Sequence, residues 1–464
     1  MSEKPLSPLR QRMLEHCHAA RSCRAGVSPG NIFRVSVGGG AVTKPGWRAL
    51  AATALMTSIG VLPASISTAH AQSPAAAKCN AAGNISLDDR IAGCTVVIET
   101  ATAMPQSVIF AYFRRAGFYL QKGDVDRAIA DYDQIIEHDP NNPIARLRRA
   151  SAYFRKREFD AALADYDKAV ELDPKDEYAY LGRAGAYMAK EDIDRATADY
   201  GRVLLLHPDN FSAYVGRGLA YNAEDQPDRA LADCNRAIEI SPEHGTGQFC
   251  RGHVYIAKGN PELALADFSQ AIQFNPRDPR FYLGRASVFR ARGDFEQALS
   301  NITQAIDLAP NNPYLYRWRG TAQFQAGLLP EALDDLGRST ELDQKDLYTQ
   351  LWLDVVRQKS GQPSQLDEAA KQLDMSRWPA PIVRQFLGQT TFEAVLTEAA
   401  EDASTVKMKG QVCEAYFYAG ELALGRGETG QAMRRLHIAV DVCPRRHLEW
   451  PAANAELHRL NTKP

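Results

Sequence analysis

From Ile109 onward the apolar positions of the chain return with a helical step, twice in every 34 residues. When units are counted from Ile109, Pro143, Glu177, Phe211, Gly245, Pro279 and Pro313, apolar or small residues occupy positions 8 and 11, then 20, 24 and 27. Steps of three and four place each set on one helix face, so a unit is two amphipathic helices. Position 8 is always small (Ala116, Ala150, Ala184, Gly218, Gly252, Ala286, Gly320) and position 20 is alanine from Ala128 to Ala332. Position 24 is usually large, as in Tyr132, Tyr166, Tyr200 and Phe268. Between the helices stand Gly123-Asp124, Gly259-Asn260 and Gly293-Asp294. There a glycine can end one helix in the left-handed conformation and a short polar side chain can cap the next. Pro140, Pro174, Pro208, Pro242, Pro276 and Pro310 punctuate the series without slippage.

A single hairpin cannot cover its own apolar faces, so the units must stack, and small residues at positions 8 and 20 let the backbones approach. The chain is therefore expected to be all-α. Its columns resemble the tetratricopeptide repeat (TPR), and that resemblance implies a right-handed superhelical solenoid of about eight repeats. The expected organisation is a leader over 1–71, a linker and capping helix over 72–108, and seven repeats over 109–346. An irregular helical segment over 347–412, an eighth repeat over 413–446, and a closing helix and tail over 447–464 follow. The capping helix is expected within 86–104, and the eighth repeat rests on Gly420, Gly427, Ala432, Ala439 and Pro444.

Two polar columns run through the repeats. Position 7 is arginine in all seven units, from Arg115 to Arg319, and position 23 is aspartate except at Asn301. Because the opposite charges recur together, a repeated Arg–Asp pair is expected in preference to a cationic ligand strip.

Charge is uneven along the sequence. Residues 1–71 hold eight Lys/Arg against two Asp/Glu, which leaves 46 basic against 54 acidic residues in the remainder. The mildly acidic body argues against nucleic acid and against anionic lipid surfaces as partners. The uncharged run 49–62 behind Lys44 and Arg48, followed by Ala69-His70-Ala71, reads as a secretory signal that directs the chain to the periplasm. Translation starting near Val37 or Val42 would give that signal an ordinary length. Residues Ala76-Ala77-Lys78 before Cys79 make no lipid-attachment box, so a soluble, unanchored mature protein is expected.

Beyond the leader, six cysteines fall as neighbours: Cys79 with Cys94, Cys234 with Cys250, and Cys413 with Cys443. An even number in an exported chain suggests three disulfides. The first would tie an N-terminal strand to the capping helix. His244, Cys250 and His253 lie close in sequence, but their spacing is unlike a structural zinc site, and no metal is expected there.

A narrower resemblance is carried by Leu351-Trp352-Leu353, by Trp378-Pro379-Ala380-Pro381-Ile382 with Leu387-Gly388, and by Cys413-Glu414-Ala415-Tyr416-Phe417-Tyr418. These segments resemble exported TPR proteins of the NlpI lipoprotein type, which implies an adaptor, some members of that group serving cell-wall hydrolases. The TPR resemblance also implies a concave groove lined by the first helices, usually through positions 2, 5, 9, 12 and 13. Carried onto this chain, position 5 gives Phe113, Leu147, Leu181, Val215, Phe249 and Leu283, and position 12 gives Leu120, Phe154, Met188, Ile256 and Phe324. Such apolar stripes suit an amphipathic helix or an extended peptide, although many of these side chains could equally be interhelical core.

Catalytic patterns are missing from the sequence. It has no Gly-x-Ser-x-Gly elbow, no His-Glu-x-x-His and no phosphate loop, and Gly245-Thr246-Gly247 lacks the third glycine of a dinucleotide motif. The expected function is a non-catalytic periplasmic scaffold for protein or peptide partners, needing no cofactor. A structural part of an envelope or secretion complex is the alternative, and an enzyme the least favoured one.

Overall fold

A computed structural model describes residues 74–80, 85–101, 104, 106–402, 404–445 and 447–462. The proposed leader, 1–71, lies outside them. Every regular element among the described residues is helical. At the start, α1 (Pro74–Asn80) and α2 (Leu87–Glu99) precede the array, with the Ser86 side chain accepting from the Asp89 amide at the α2 cap. The expected capping helix is thus shorter than 86–104. Cys79 sits in helix α1, not in the strand expected from the sequence, because the short Ala-rich segment before it packs as a helical turn against α2.

Seven helix pairs follow: α3 (Gln106–Gln121) with α4 (Val125–His138), α5 (Pro143–Arg155) with α6 (Phe159–Leu172), and α7 (Glu177–Ala189) with α8 (Ile193–Leu206). Next come α9 (Phe211–Ala223) with α10 (Pro227–Ile240), and α11 (Thr246–Ala257) with α12 (Pro261–Phe274). The series ends with α13 (Pro279–Arg292) and α14 (Phe295–Leu308), then α15 (Pro313–Ala326) and α16 (Leu329–Leu342). Asp124, Asp192 and Asp294 cap second helices through their side chains, while Asn142, Asp176, Asn210 and Asn312 cap first helices. The turn between helices keeps a positive φ even without glycine, at Arg157 (63°), Glu191 (58°) and Asp225 (60°).

First helices of successive units also touch each other, α5 with α7, α7 with α9, α9 with α11 and α11 with α13, more than second helices do. Drawing one layer together curves the stack, with first helices inside. Close approach is required where position 24 packs on the next unit. A Cβ on Gly182 would lie 2.4 Å from the Tyr166 ring, and one on Gly216 equally close to Tyr200.

The Arg and Asp columns meet, as expected. Arg149, Arg183 and Arg217 each reach the aspartate 16 residues on at 2.7 Å, and Arg319 reaches Asp335 at 2.6 Å. The same guanidiniums reach backwards into the preceding unit: Arg149 to Asp133 (2.6 Å), Arg183 to Asp167 (2.9 Å), Arg251 to Asn235 (3.1 Å) and Arg319 to Thr303 (3.1 Å). A second rung links position 14 to position 18 of the unit before, as in Lys156–Asp126 (2.8 Å), Lys258–Asp228 (2.6 Å) and Arg292–Glu262 (2.7 Å). Both rungs fail between the third and fourth units. Gly201 occupies the acceptor column facing Arg217, and Glu224 faces Asp194 where other units pair a cation with an acid. Burial and that neighbouring carboxylate raise the Glu224 carboxyl above its ordinary value.

After α16 the first half of a further pair persists as α17 (Leu347–Lys359), capped by Asp346, so the period outlasts the point at which the proline column fails. No matching second helix follows. Short α18 (Leu366–Ala370), α19 (Ala380–Phe386) and α20 (Phe392–Ala400) lead to α21 (Thr405–Gly425), which starts before the expected repeat boundary at 413. It pairs with α22 (Thr429–Val442), and α23 (Glu449–Thr462) closes the chain. The largest core cluster among the described residues lies here, around the fully buried Trp352, Phe417 and Tyr418.

Candidate protein-binding groove

The expected groove residues do not share one environment. Phe113, Leu120, Leu147, Phe154, Leu181 and Met188 are half-buried along the inner layer of the first three units, each packed on its own repeat core. Phe249, Ile256 and Leu283 are also half-buried, in the fifth and sixth units. Val215 and Phe324 are corrections to the sequence reading. Val215 is buried in the core of the fourth unit. Phe324 is completely buried, its ring stacked edge-on with Trp352 and covered by Lys359 and Arg459, so it cannot meet a partner.

Within the inner layer of the first three units, position 2 carries the most accessible apolar side chains. Phe110 is 51% exposed, Ile144 56% and Tyr178 65%. These three belong to the same 34-residue column, and counting position 2 alongside 5 and 12 would have found them. The inner layer is open beside them: a Cβ on Gly117 would meet nothing within 4 Å, and one on Gly185 only the edge of Phe154. In the next three units position 2 becomes Ser212, Thr246 and Arg280, and the apolar stripe stops.

Toward the other end, the inner layer is covered by the chain itself. Arg459 of α23 donates to the carbonyls of Phe324 (2.8 Å) and Gln325 (2.9 Å) at the end of α15. Position 12 of the sixth unit is Arg290, a buried cation that donates to Gln325 at 2.6 Å. Burial pulls its guanidinium down to about 10, with the Glu449 carboxylate acting in the opposite direction. Lys359 of α17 bridges the buried carboxylates Glu421 (3.1 Å) and Glu456 (2.6 Å), tying α21 and α23 to the array. Burial pushes the Glu421 carboxyl up to about 7, with Lys359 opposing. Farther back, Arg445 approaches the turn at Gly259, and Lys407 donates to the Lys190 carbonyl at 2.8 Å in the third unit.

The six cysteines are placed within bonding distance in the three neighbouring pairs, with Cα separations of 4.6 Å for Cys79–Cys94, 5.6 Å for Cys234–Cys250 and 4.7 Å for Cys413–Cys443. His244 bonds Thr246 (2.9 Å) and stacks on Phe211, while His253 packs between Phe249 and Phe268, so neither histidine joins Cys250 in a ligand set. Among the described residues, no helix is long and apolar enough to cross a membrane.

A family model for the tetratricopeptide repeat matches residues 118–177, 181–244, 251–299 and 284–346. This stretch carries tetratricopeptide repeats, a repeat that is generally non-catalytic and that supports scaffolds for protein interaction. Solved structures, two of them of TPR proteins, are similar to it. One from Parabacteroides merdae is 20% identical with a TM-score of 0.45, covering 53% of this chain and 98% of its own. A thermophilic one from Thermus thermophilus is 21% identical with a TM-score of 0.38, covering 39% and 100%. The pilF protein of Pseudomonas aeruginosa is 18% identical with a TM-score of 0.36, covering 44% and 92%. No curated protein matches the chain.

Proposed function

We propose that this protein is a non-catalytic scaffold of the exported compartment that holds a protein or peptide segment against the inner face of its first three repeats. The observation that carries the reading is the exposed column Phe110, Ile144 and Tyr178, flanked by Phe113, Leu147, Leu181, Phe154 and Met188. An apolar ladder with a regular step fits an amphipathic helix or an extended peptide better than a small polar substrate. Three cysteine pairs support an oxidising location, and the uncharged run before Ala71 supports export to the periplasm. The narrower NlpI-type resemblance adds cell-envelope assembly or control of cell-wall hydrolases as the setting.

Crosslinking of the native envelope fraction with the full chain as bait identifies the partner, and Phe154→Asp with Met188→Asp tests the site. Loss of the crosslinked partner with unchanged helicity is expected; capture at the original level would reject the groove. Sequencing the mature N-terminus tests export, and an intact leader would refute it.

A further inference from the structure

The inner end of the chain's own clasp holds a set of donor atoms that scaffolding does not use. Cys413 of α21, His447 in the link after α22, and Glu449 at the start of α23 each bring one ligand atom within 4.8 Å of the other two. Cys443 adds a second sulfur, because it is the disulfide partner of Cys413. Cys413, Cys443 and Glu449 are buried, and His447 is half-buried. The imidazole has a prepared seat, since a Cβ on Gly410 would lie 2.8 Å from its Cε1. Glu414 lies 3.7 Å from His447 Nδ1 and is itself fixed by the Trp378 indole (2.6 Å) and the Tyr348 hydroxyl (3.1 Å). A carboxylate steadied in this way beside an imidazole is the usual outer support of a metal-binding histidine.

We propose that reduction of the Cys413–Cys443 bond opens a Zn²⁺ site formed by both sulfurs, one ring nitrogen of His447 and a carboxylate oxygen of Glu449. While the sulfurs are joined, neither has a thiolate to offer, so the oxidised chain does not bind. A dithiol reductant gives two electrons and two protons to the disulfide and leaves as its own disulfide. Zn²⁺ then displaces both thiol protons to solvent. Tetrahedral zinc, with bonds of about 2.3 Å to sulfur and about 2.0 Å to nitrogen, holds its ligand atoms roughly 3.3 to 3.8 Å apart. The sulfurs must therefore separate and the remaining atoms draw in by about an ångström. Two thiolates with neutral imidazole and one carboxylate form a borderline-soft set, favouring zinc over magnesium or calcium.

The test uses the full chain, oxidised or reduced with a phosphine, titrated with Co²⁺ as a spectroscopic stand-in. In the background Cys79→Ser, Cys94→Ser, Cys234→Ser and Cys250→Ser, the reduced chain is expected to bind one Co²⁺ with thiolate charge-transfer absorption, displaced by Zn²⁺. The oxidised chain shows no such band. Cys413→Ser abolishes the band, and His447→Ala and Glu449→Gln each weaken binding at least tenfold. Absence of the band from the reduced wild-type chain, whether it stays helical or melts, overturns the proposal. So does a band that survives both His447→Ala and Glu449→Gln, because that would be thiol binding without the site.

Discussion

The inner layers of the first three and the last two repeats are built on the same columns, yet only one of them is covered by the chain. In the first three units position 12 is Leu120, Phe154 and Met188, all half-buried on an inner face beside the exposed Phe110, Ile144 and Tyr178. In the sixth and seventh, position 12 is Arg290 and Phe324, both buried, and α23 lies across them. The difference teaches what a repeat column does and does not specify. It fixes which way a side chain points; whether the side chain meets solvent depends on a segment that follows more than a hundred residues later.

Breaking the covered half should cost most. Lys359→Met strands Glu421 without its cation, while Glu456 keeps Arg459, and losing one partner of a buried ion pair costs about 3 to 5 kcal/mol. Urea unfolding should show that loss, and a change below about 1 kcal/mol would mean that the clasp is not held this way. Ala264→Phe tests the register common to both halves. Ala264 is fully buried between helices, and overpacking there is expected to lower stability by roughly 1 to 3 kcal/mol.

Two regions should also answer pH with opposite sign. Burial raises Glu421 to about 7, so its contribution is complete below the ordinary carboxyl value and is lost as pH climbs through 7. Burial against Phe249 and Phe268 lowers His253 to about 4, so its contribution is present above the ordinary imidazole value and is lost as pH falls toward 4. Unfolding curves between these limits should flatten on the alkaline side in Glu421→Gln and on the acid side in His253→Phe. Identical pH profiles for wild type and both variants would contradict the assignment. The smallest change in stability belongs to the open half: Tyr178→Asp, on an exposed side chain, should shift it by less than about 0.5 kcal/mol while abolishing partner capture.

The repeats were legible because burial between neighbouring units forces a period on the sequence. Ala128 to Ala332, the Arg–Asp pairs and the capping residues could all be read from spacing. Phe324 could not, because its partners Trp352, Lys359 and Arg459 come from outside the array and carry no period. The same holds for Lys407, which reaches Lys190 across 217 residues. Phe110, Ile144 and Tyr178 stand in a readable column, position 2, whereas positions 5 and 12 hold side chains that are half core. The Cys413–Cys443 pair is readable from sequence, whereas His447 and Glu449 join Cys413 only because α23 turns back beside α21.

The missing rungs between the third and fourth units bear on how a guest would enter. A joint lacking its crosslinks is where a stack of rigid plates bends first, and here Lys407 reaches over that joint like a strut. That strut is an ammonium on a backbone oxygen, with the Glu191 carboxylate 4.0 Å from the same nitrogen. A visiting segment that competes for that oxygen would loosen the strut as it arrives.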